Sequence, residues 1–282
     1  MAGMIENKLF EYSDLAEIER SVHFSALRAF VDKLTRQGIA CTTRGTLQSS
    51  NLNDPTAWYR HTVHYLRAWE YVRVLEILNI PDGAKVLDVG GAATPLVFFL
   101  ASEKGCAVTT VDLRKELVEH SNEVASKMHW KLDAHCMDIT EFDSGNTYDF
   151  AISMSVLEHM RSHTKQIAAA KMAKHLKPGG AIGISFDFGQ MEKLESNASG
   201  EVYLPFKSFE EVYEYVVRPS GCSLFGNDRL QDIPLDEPMT VKPPYRNFPL
   251  VPFTPPRMSL LKKIFFRPLG YTYGTIFLRK PQ

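Results

Sequence analysis

From residue 80 onward, apolar and polar positions fall into short blocks whose period changes from two to about 3.6. In Lys85-Val86-Leu87-Asp88-Val89 the apolar residues surround one acid, and the chain then runs into Gly90-Gly91-Ala92-Ala93-Thr94-Pro95. That pattern predicts a buried strand, a tight turn and a helix N-terminus. Thr94 caps this helix, and Pro95 takes its first position, where a missing N–H costs nothing. Strands are predicted over 107–113, 134–138, 148–155 and 181–186, with helices over 114–128, 163–176 and 208–217. Lys177-Pro178-Gly179-Gly180 reads as a turn, and residues 271–279 as a terminal strand. Alternation of this kind predicts a parallel sheet with helices on both faces and a ligand at the carboxyl ends of the strands.

Before residue 80 the pattern is helical. Leu15, Ile18, Val22, Leu27, Phe30, Val31 and Leu34 lie near helical spacing across 13–37, with Ser13 or Asp14 as cap and Gly38 as stop. Residues 41–55 read as a polar loop. A second helix is predicted over 56–79, rich in aromatic residues and arginines. Residues 1–12 carry no assignment. The two helices are placed to cap the open edge of the core. Residues 234–256 hold eight prolines, which excludes regular structure. The apolar residues Tyr245, Phe248, Leu250, Val251 and Phe253 make this stretch an ordered cover.

Composition narrows the picture. A chain of 282 residues, 44% of them hydrophobic, holds one large domain with extensions. A formal net charge of −1 gives no electrostatic case for nucleic acid. Cys41, Cys106, Cys136 and Cys222 are scattered and predict buried or semi-buried thiols in a reducing compartment. No signal peptide is visible at the N-terminus, and no apolar run approaches the roughly 18 residues of a spanning helix. A cytoplasmic protein is expected. Residues 258–269 mix apolar and basic side chains and read as a connecting helix packed on the sheet, not as a membrane contact.

The candidate chemistry sits at the strand ends. A glycine turn leading into a helix suits a nucleotide-like ligand, because the backbone can approach closely and free N–H groups point outward. The dinucleotide fingerprint is not met, since Ala92 and Pro95 stand where its second and third glycines belong. Tyr203 and Lys207 have the spacing of a dehydrogenase pair, but Pro205 breaks the helix that would align them. Asp112 follows Asp88 by 24 residues and can accept both hydroxyls of a ribose; alternatively it caps the helix from Arg114. Asp138 ends the third strand.

Taken together, these residues resemble the class I S-adenosylmethionine-dependent methyltransferases over roughly 80–188 and the terminal strand. Asp88 and Gly90 match the first motif, whereas Ala92 and Thr94 replace further glycines. Asp112 matches the second motif and Asp138 the third. Residues 148–159 and Leu176-Lys177-Pro178-Gly179-Gly180 match the later ones.

The resemblance implies a doubly wound, seven-stranded, mostly parallel Rossmann-like sheet whose last strand is antiparallel. It implies a helical N-terminal cap over 1–80 and a core over 81–282, with an irregular substrate cover at 190–262. The implied cofactor is S-adenosylmethionine, held by Asp88, Gly90, Gly91, Ala92, Asp112, Leu113, Met137, Asp138, Ile139, Ser153 and Met154, with Leu113 flanking the adenine. Its chemistry agrees with three strand-end carboxylates, which would repel a pyrophosphate but suit an adenosyl sulfonium.

His159 and Asp187 are the implied catalytic residues. His163 would join them only in a metal site, and no metal is expected. Arg60, Tyr65, Arg67 and Tyr71 are equivalent candidates for the cofactor carboxylate. The expected reaction is methyl transfer to an oxygen or nitrogen of a small molecule, such as a sugar or secondary metabolite. The expected partner is that acceptor alone, with no nucleic acid and no firm membrane association, and a homodimer is compatible. The alternatives are a non-catalytic binding protein of the same fold and, further off, an NAD(P)-dependent oxidoreductase.

Overall fold

The computed structural model describes residues 6–9, 13–42, 47–48, 65–145, 147–189, 202–227 and 271–282. The predicted residues 56–64, 234–256 and 258–269 lie outside them. The central sheet is built from β4 (Lys85–Val89), β5 (Ala107–Asp112), β6 (Leu132–Cys136), β7 (Tyr148–Met154), β8 (Leu176–Gly189) and β10 (Tyr271–Arg279), while β2 (Cys41–Thr42) and β3 (Leu47–Gln48) pair with each other apart from it. Its order is β6-β5-β4-β7-β8-β10, parallel except for β10, which runs antiparallel to β8. The order reverses beside β4, so a crevice opens at the ends of β4 and β7.

Side-chain alternation explains the two packed faces. Val86, Val108, Ile152, Ala181 and Phe277 enter one apolar cluster, while Leu87, Val111, Ala151, Ile182 and Ile276 enter the other. Adjacent residues of a strand point to opposite faces, so a sheet covered on both sides is apolar at consecutive positions. On the first face lie α3 (Tyr65–Leu78), α4 (Pro95–Ser102) and α5 (Lys115–Met128). Outside α3 pack α1 (Ser13–Arg20) and α2 (Val22–Arg36). On the second face lie α6 (Ser162–Lys174) and a helical segment over 209–220 that widens into a π turn at Tyr213–Val217.

Four details differ from the sequence pattern. The single helix expected over 13–37 is two, because Ser21 leaves the helical region and its side chain caps α2 through His23 N. The second N-terminal helix lies on the sheet face, against β7, β8 and β10. The Lys177–Gly180 turn is an irregularity inside one long strand: Tyr148 pairs with Leu176 but Phe150 pairs with Ala181, and Gly179 takes φ +76°. Cys136 is exposed, whereas the other three cysteines are buried.

The edge beyond β10 is completed from two distant places. β9 (Ser223–Leu224) pairs with Leu278 and Arg279, and β1 (Lys8–Leu9) pairs with Gly274 and Thr275. Residues 1–12 had no predicted structure, and two residues are too few for a periodic signal. Asn7 joins the pieces. It is fully buried, its Nδ2 donates to the carbonyls of Phe225 (2.9 Å) and Asn227 (2.8 Å), and its Oδ1 accepts from Phe277 N (2.7 Å). One side chain thus supplies the bonds that a longer edge strand would make.

Asn7→Ala strands one buried N–H and two carbonyls. It is expected to cost about 2–4 kcal/mol of unfolding free energy, read as a lower urea midpoint at unchanged slope. A loss below about 0.5 kcal/mol, the size of an ordinary surface change, would show that Asn7 does not hold the edge.

Candidate active site

The turn after β4 is built around the Asp88 side chain, which is 1% exposed. Its Oδ2 accepts from Gly91 N at 2.9 Å and from the Thr110 hydroxyl at 2.5 Å. The two glycines serve different needs. Gly90 has φ +78° and lies against Val156, where a Cβ would come within 2.6 Å of a methyl group. At Gly91 a Cβ would stand 2.4 Å from the Asp88 carboxylate, so no other residue could bring its N–H to that acid. Ala92 is fully buried, so its methyl is accommodated where the family motif has glycine. Its N–H donates to Asp112 Oδ2 at 3.3 Å. The Thr94 hydroxyl donates to Gly91 O at 2.8 Å and receives Val97 N at 3.4 Å, with Pro95 opening α4. The expected cap is therefore present.

Asp112, at the end of β5, accepts Arg114 N on its other oxygen at 3.0 Å. It is not the helix cap, since α5 starts at Lys115 with Arg114 before it. Beside it Leu113 is 70% exposed, an apolar side chain left on the rim of the crevice. The next strand end brings Met137, Asp138 and Ile139 to the same rim: Met137 N donates to Asp112 O at 3.1 Å, and Asp138 Oδ1 receives Thr140 N at 2.8 Å. Ile139 is buried, and Met137 and Asp138 are half-buried.

At the end of β7 the crevice meets α3. The Ser153 hydroxyl donates to Val89 O at 3.2 Å, and Arg67 donates to Met154 O at 3.0 Å and to Glu70 Oε2 at 2.8 Å. Ser155 has φ +51°, a left-handed conformation that costs a non-glycine residue about 1 kcal/mol or more. Its N–H donates to Ser185 Oγ at 3.0 Å and its hydroxyl to Glu70 Oε1, so helix and strand ends fix it from both sides. Among the four candidates for the cofactor carboxylate, Arg60 and the Tyr65 side chain lie outside the described residues. Tyr71 is buried in the core. Arg67 alone of the described pair reaches the strand ends.

His159 closes a short 3-10 turn and is exposed, with its ring centroid 5.5 Å from that of Tyr203. Asp187, half-buried at the end of β8, accepts the Tyr203 hydroxyl. Tyr203 therefore contacts both residues named from the sequence. His163 is separate, exposed on α6. Glu158 is 1% exposed, and its Oε2 has no hydrogen-bond partner among the described residues.

Sequence reasoning missed Ser155, Glu158 and Tyr203 as site residues. Glu158 was legible as a lone acid in an apolar segment, Val156-Leu157-Glu158. Tyr203 arrives from a distant crossing and left no signal.

Residues 86–180 match the family model described as a methyltransferase domain. The stretch from β4 to Gly180 is thus similar to a methyltransferase domain. Two curated relatives are similar over part of their length. A probable (S)-tetrahydroprotoberberine N-methyltransferase of Papaver bracteatum is 35% identical over 89 residues, 31% of this chain and 25% of the relative. A ubiquinone biosynthesis O-methyltransferase of Rickettsia typhi is 30% identical over 127 residues, 44% of this chain and 50% of the relative. This chain thus spans a quarter to a half of the length of these relatives. Among solved structures, the cyclase SpnF superposes with a TM-score of 0.55 at 17% identity, over 91% of this chain and 93% of that one. That likeness establishes the fold alone, and a fold does not choose a reaction.

Burial acts on the acids of this site. It lifts Asp88 to about 7, against the bonds from Thr110 and Gly91 that favour the charged form. It lifts Asp187 to about 6, and raises Asp112 and, most strongly, Glu158, which also faces Asp187. An unfolded aspartate titrates near 4. Between about pH 4 and 7 the folded state therefore binds more protons at Asp88, and this contribution to stability fades as pH rises. Relative to Asp88→Asn, the wild type is expected to lose roughly 2 kcal/mol between pH 5 and pH 8, measured by urea unfolding. A difference independent of pH would contradict this ionisation.

Proposed function

We propose that the chain is an S-adenosylmethionine-dependent methyltransferase that acts on an oxygen or nitrogen of a small molecule. The observation that carries this reading is where the turn's N–H groups go. Gly91 N is spent on Asp88 and Ala92 N on Asp112. A pyrophosphate needs such amides for itself, and here it would meet carboxylates instead. An adenosyl sulfonium carries positive charge and no phosphate, so this donor set fits it.

In this reading Asp112 receives the ribose hydroxyls through its part-exposed carboxylate. Leu113, Met137 and Ile139 border the adenine and Asp138 takes its amino group. Gly90, Gly91 and Ala92 form the floor, with Ser153 and Met154 at the amino-acid end, where Arg67 lies near enough to meet a carboxylate. When bound, the cofactor supplies a methyl carbon made electrophilic by the adjacent sulfonium. The protein's own work is then to position the acceptor, exclude water and hold the acceptor's proton. Asp187, raised into the neutral range, is suited to the last task, with His159 at the mouth.

Residues 1–80 are read as a cap on a core spanning 81–282, with 190–262 as the acceptor's cover. All four cysteines are free, which suits a reducing cytoplasm. Among the described residues no helix is long and apolar enough to cross a membrane.

Asp112→Ala is expected to weaken S-adenosylmethionine binding by at least about tenfold, the value of one good charged hydrogen bond, in calorimetry on a variant that unfolds normally. Unchanged affinity would remove the support for this site.

A further inference from the structure

Residues 203–206 cross the end of β8 under close restraint. Leu204 N donates to Glu158 O at 2.6 Å, and Leu204 O accepts from Lys165 Nζ at 2.6 Å. Phe206 N donates to Asp187 O at 3.0 Å, and Gly189 N to Phe206 O at 2.8 Å. Lys165 is 2% exposed and also lies 4.2 Å from the centre of the Phe206 ring. A buried ammonium is costly to place, and here it helps to fix this crossing. What this crossing delivers is Tyr203, with its hydroxyl on Asp187 and its ring beside His159.

A second observation concerns charge. Glu158 faces Asp187, Glu70 and Arg67. The Arg67 guanidinium is already engaged by Glu70 and Met154 O, and Glu70 uses both its oxygens, on Arg67 and Ser155. Among the described residues that act on Glu158, three carboxyl groups including its own thus stand against one guanidinium, and Glu158 Oε2 is buried with no hydrogen-bond partner there. A bare buried carboxyl oxygen is costly, and a ligand that donates N–H to it removes the cost.

We infer that Glu158, Asp187 and Tyr203 form the head-group pocket of the methyl acceptor, and that the acceptor is an amine that enters as its ammonium ion. This rests on the methyltransferase reading above. Burial and mutual repulsion favour protonated carboxyls; an arriving ammonium favours the ionised ones. The ammonium donates to Glu158 and Asp187, and the rings of Tyr203 and His159 flank it. Its nitrogen must be freed of one proton to use its lone pair. R–NH₃⁺ and the Asp187 carboxylate become R–NH₂ and the carboxylic acid, and nothing but a proton moves. Tyr203 acts through Asp187 as a positioning residue. An alcohol brings one O–H donor and no charge, and leaves a carboxyl unmatched.

The test uses the full chain, first shown by calorimetry to bind S-adenosylhomocysteine. Matched probes, benzylammonium against benzyl alcohol and cyclohexylmethylammonium against cyclohexylmethanol, are then titrated by ligand-observed NMR. The ammonium of each pair is expected to bind at least about tenfold tighter. Glu158→Gln and Asp187→Asn should each abolish that preference. Tyr203→Phe should reduce it while S-adenosylhomocysteine affinity and thermal unfolding stay unchanged. Equal or tighter binding of the alcohols would overturn the inference. So would a preference that survives both acid variants, or no probe binding to a protein that binds S-adenosylhomocysteine. Failure to bind S-adenosylhomocysteine is a distinct result, which removes the methyltransferase reading and the inference with it.

Discussion

The site depends on a carboxylate that no ligand needs to touch. Asp88 is buried beneath the turn, where Gly91 N and the Thr110 hydroxyl converge on one of its oxygens. That contact pulls the chain back on itself just after β4, and only a residue without Cβ lets the amide come so close. With the turn folded this way, Ala92 N meets Asp112 and the two strand ends are tied across the sheet. An internal acid thus does for this loop what a bound phosphate does for a glycine-rich phosphate loop. The loop is pre-shaped, and it is shaped against phosphate.

The rest of the structure holds the opposite lip in place. Ser155 sits in a left-handed conformation that it would not adopt alone. It is held there by Ser185 from the neighbouring strand and by Glu70 from α3. The helix that carries Glu70 is in turn pressed on the sheet beside β10, with Arg73 between the rings of Trp69 and Phe277 and bonded to Glu6 O. Asn7 closes that edge. The N-terminal segment is therefore connected to the crevice through one helix. It completes the sheet on which Asp187 is mounted.

What was legible in the chain follows from how local each signal is. The strands from β4 to β8, the Thr94–Pro95 helix start and the acids at three successive strand ends are written in contiguous residues, where period and capping chemistry speak directly. The edge built from Lys8–Leu9 and Ser223–Leu224 was not legible, because two-residue strands have no period and their pairing is set by Asn7 across the fold. Ala92 could not be judged without its surroundings, which turn out to hold a methyl group and need only its N–H. The place of Tyr203 in the site was illegible for the same reason. Pro205 rightly excluded a helix, but the extended crossing it left is what brings the hydroxyl to Asp187.

The central claim is that the strand-end acids and their turn receive a phosphate-free adenosyl ligand. Hydrogen–deuterium exchange of the full chain with and without S-adenosylhomocysteine addresses it most directly, because it reads location as well as binding. Slowed exchange is expected at residues 90–94, 112–114 and 137–140 on addition of the ligand, with no slowing there with NADH. Protection confined to other parts of the chain, or equal protection by NADH, would contradict it.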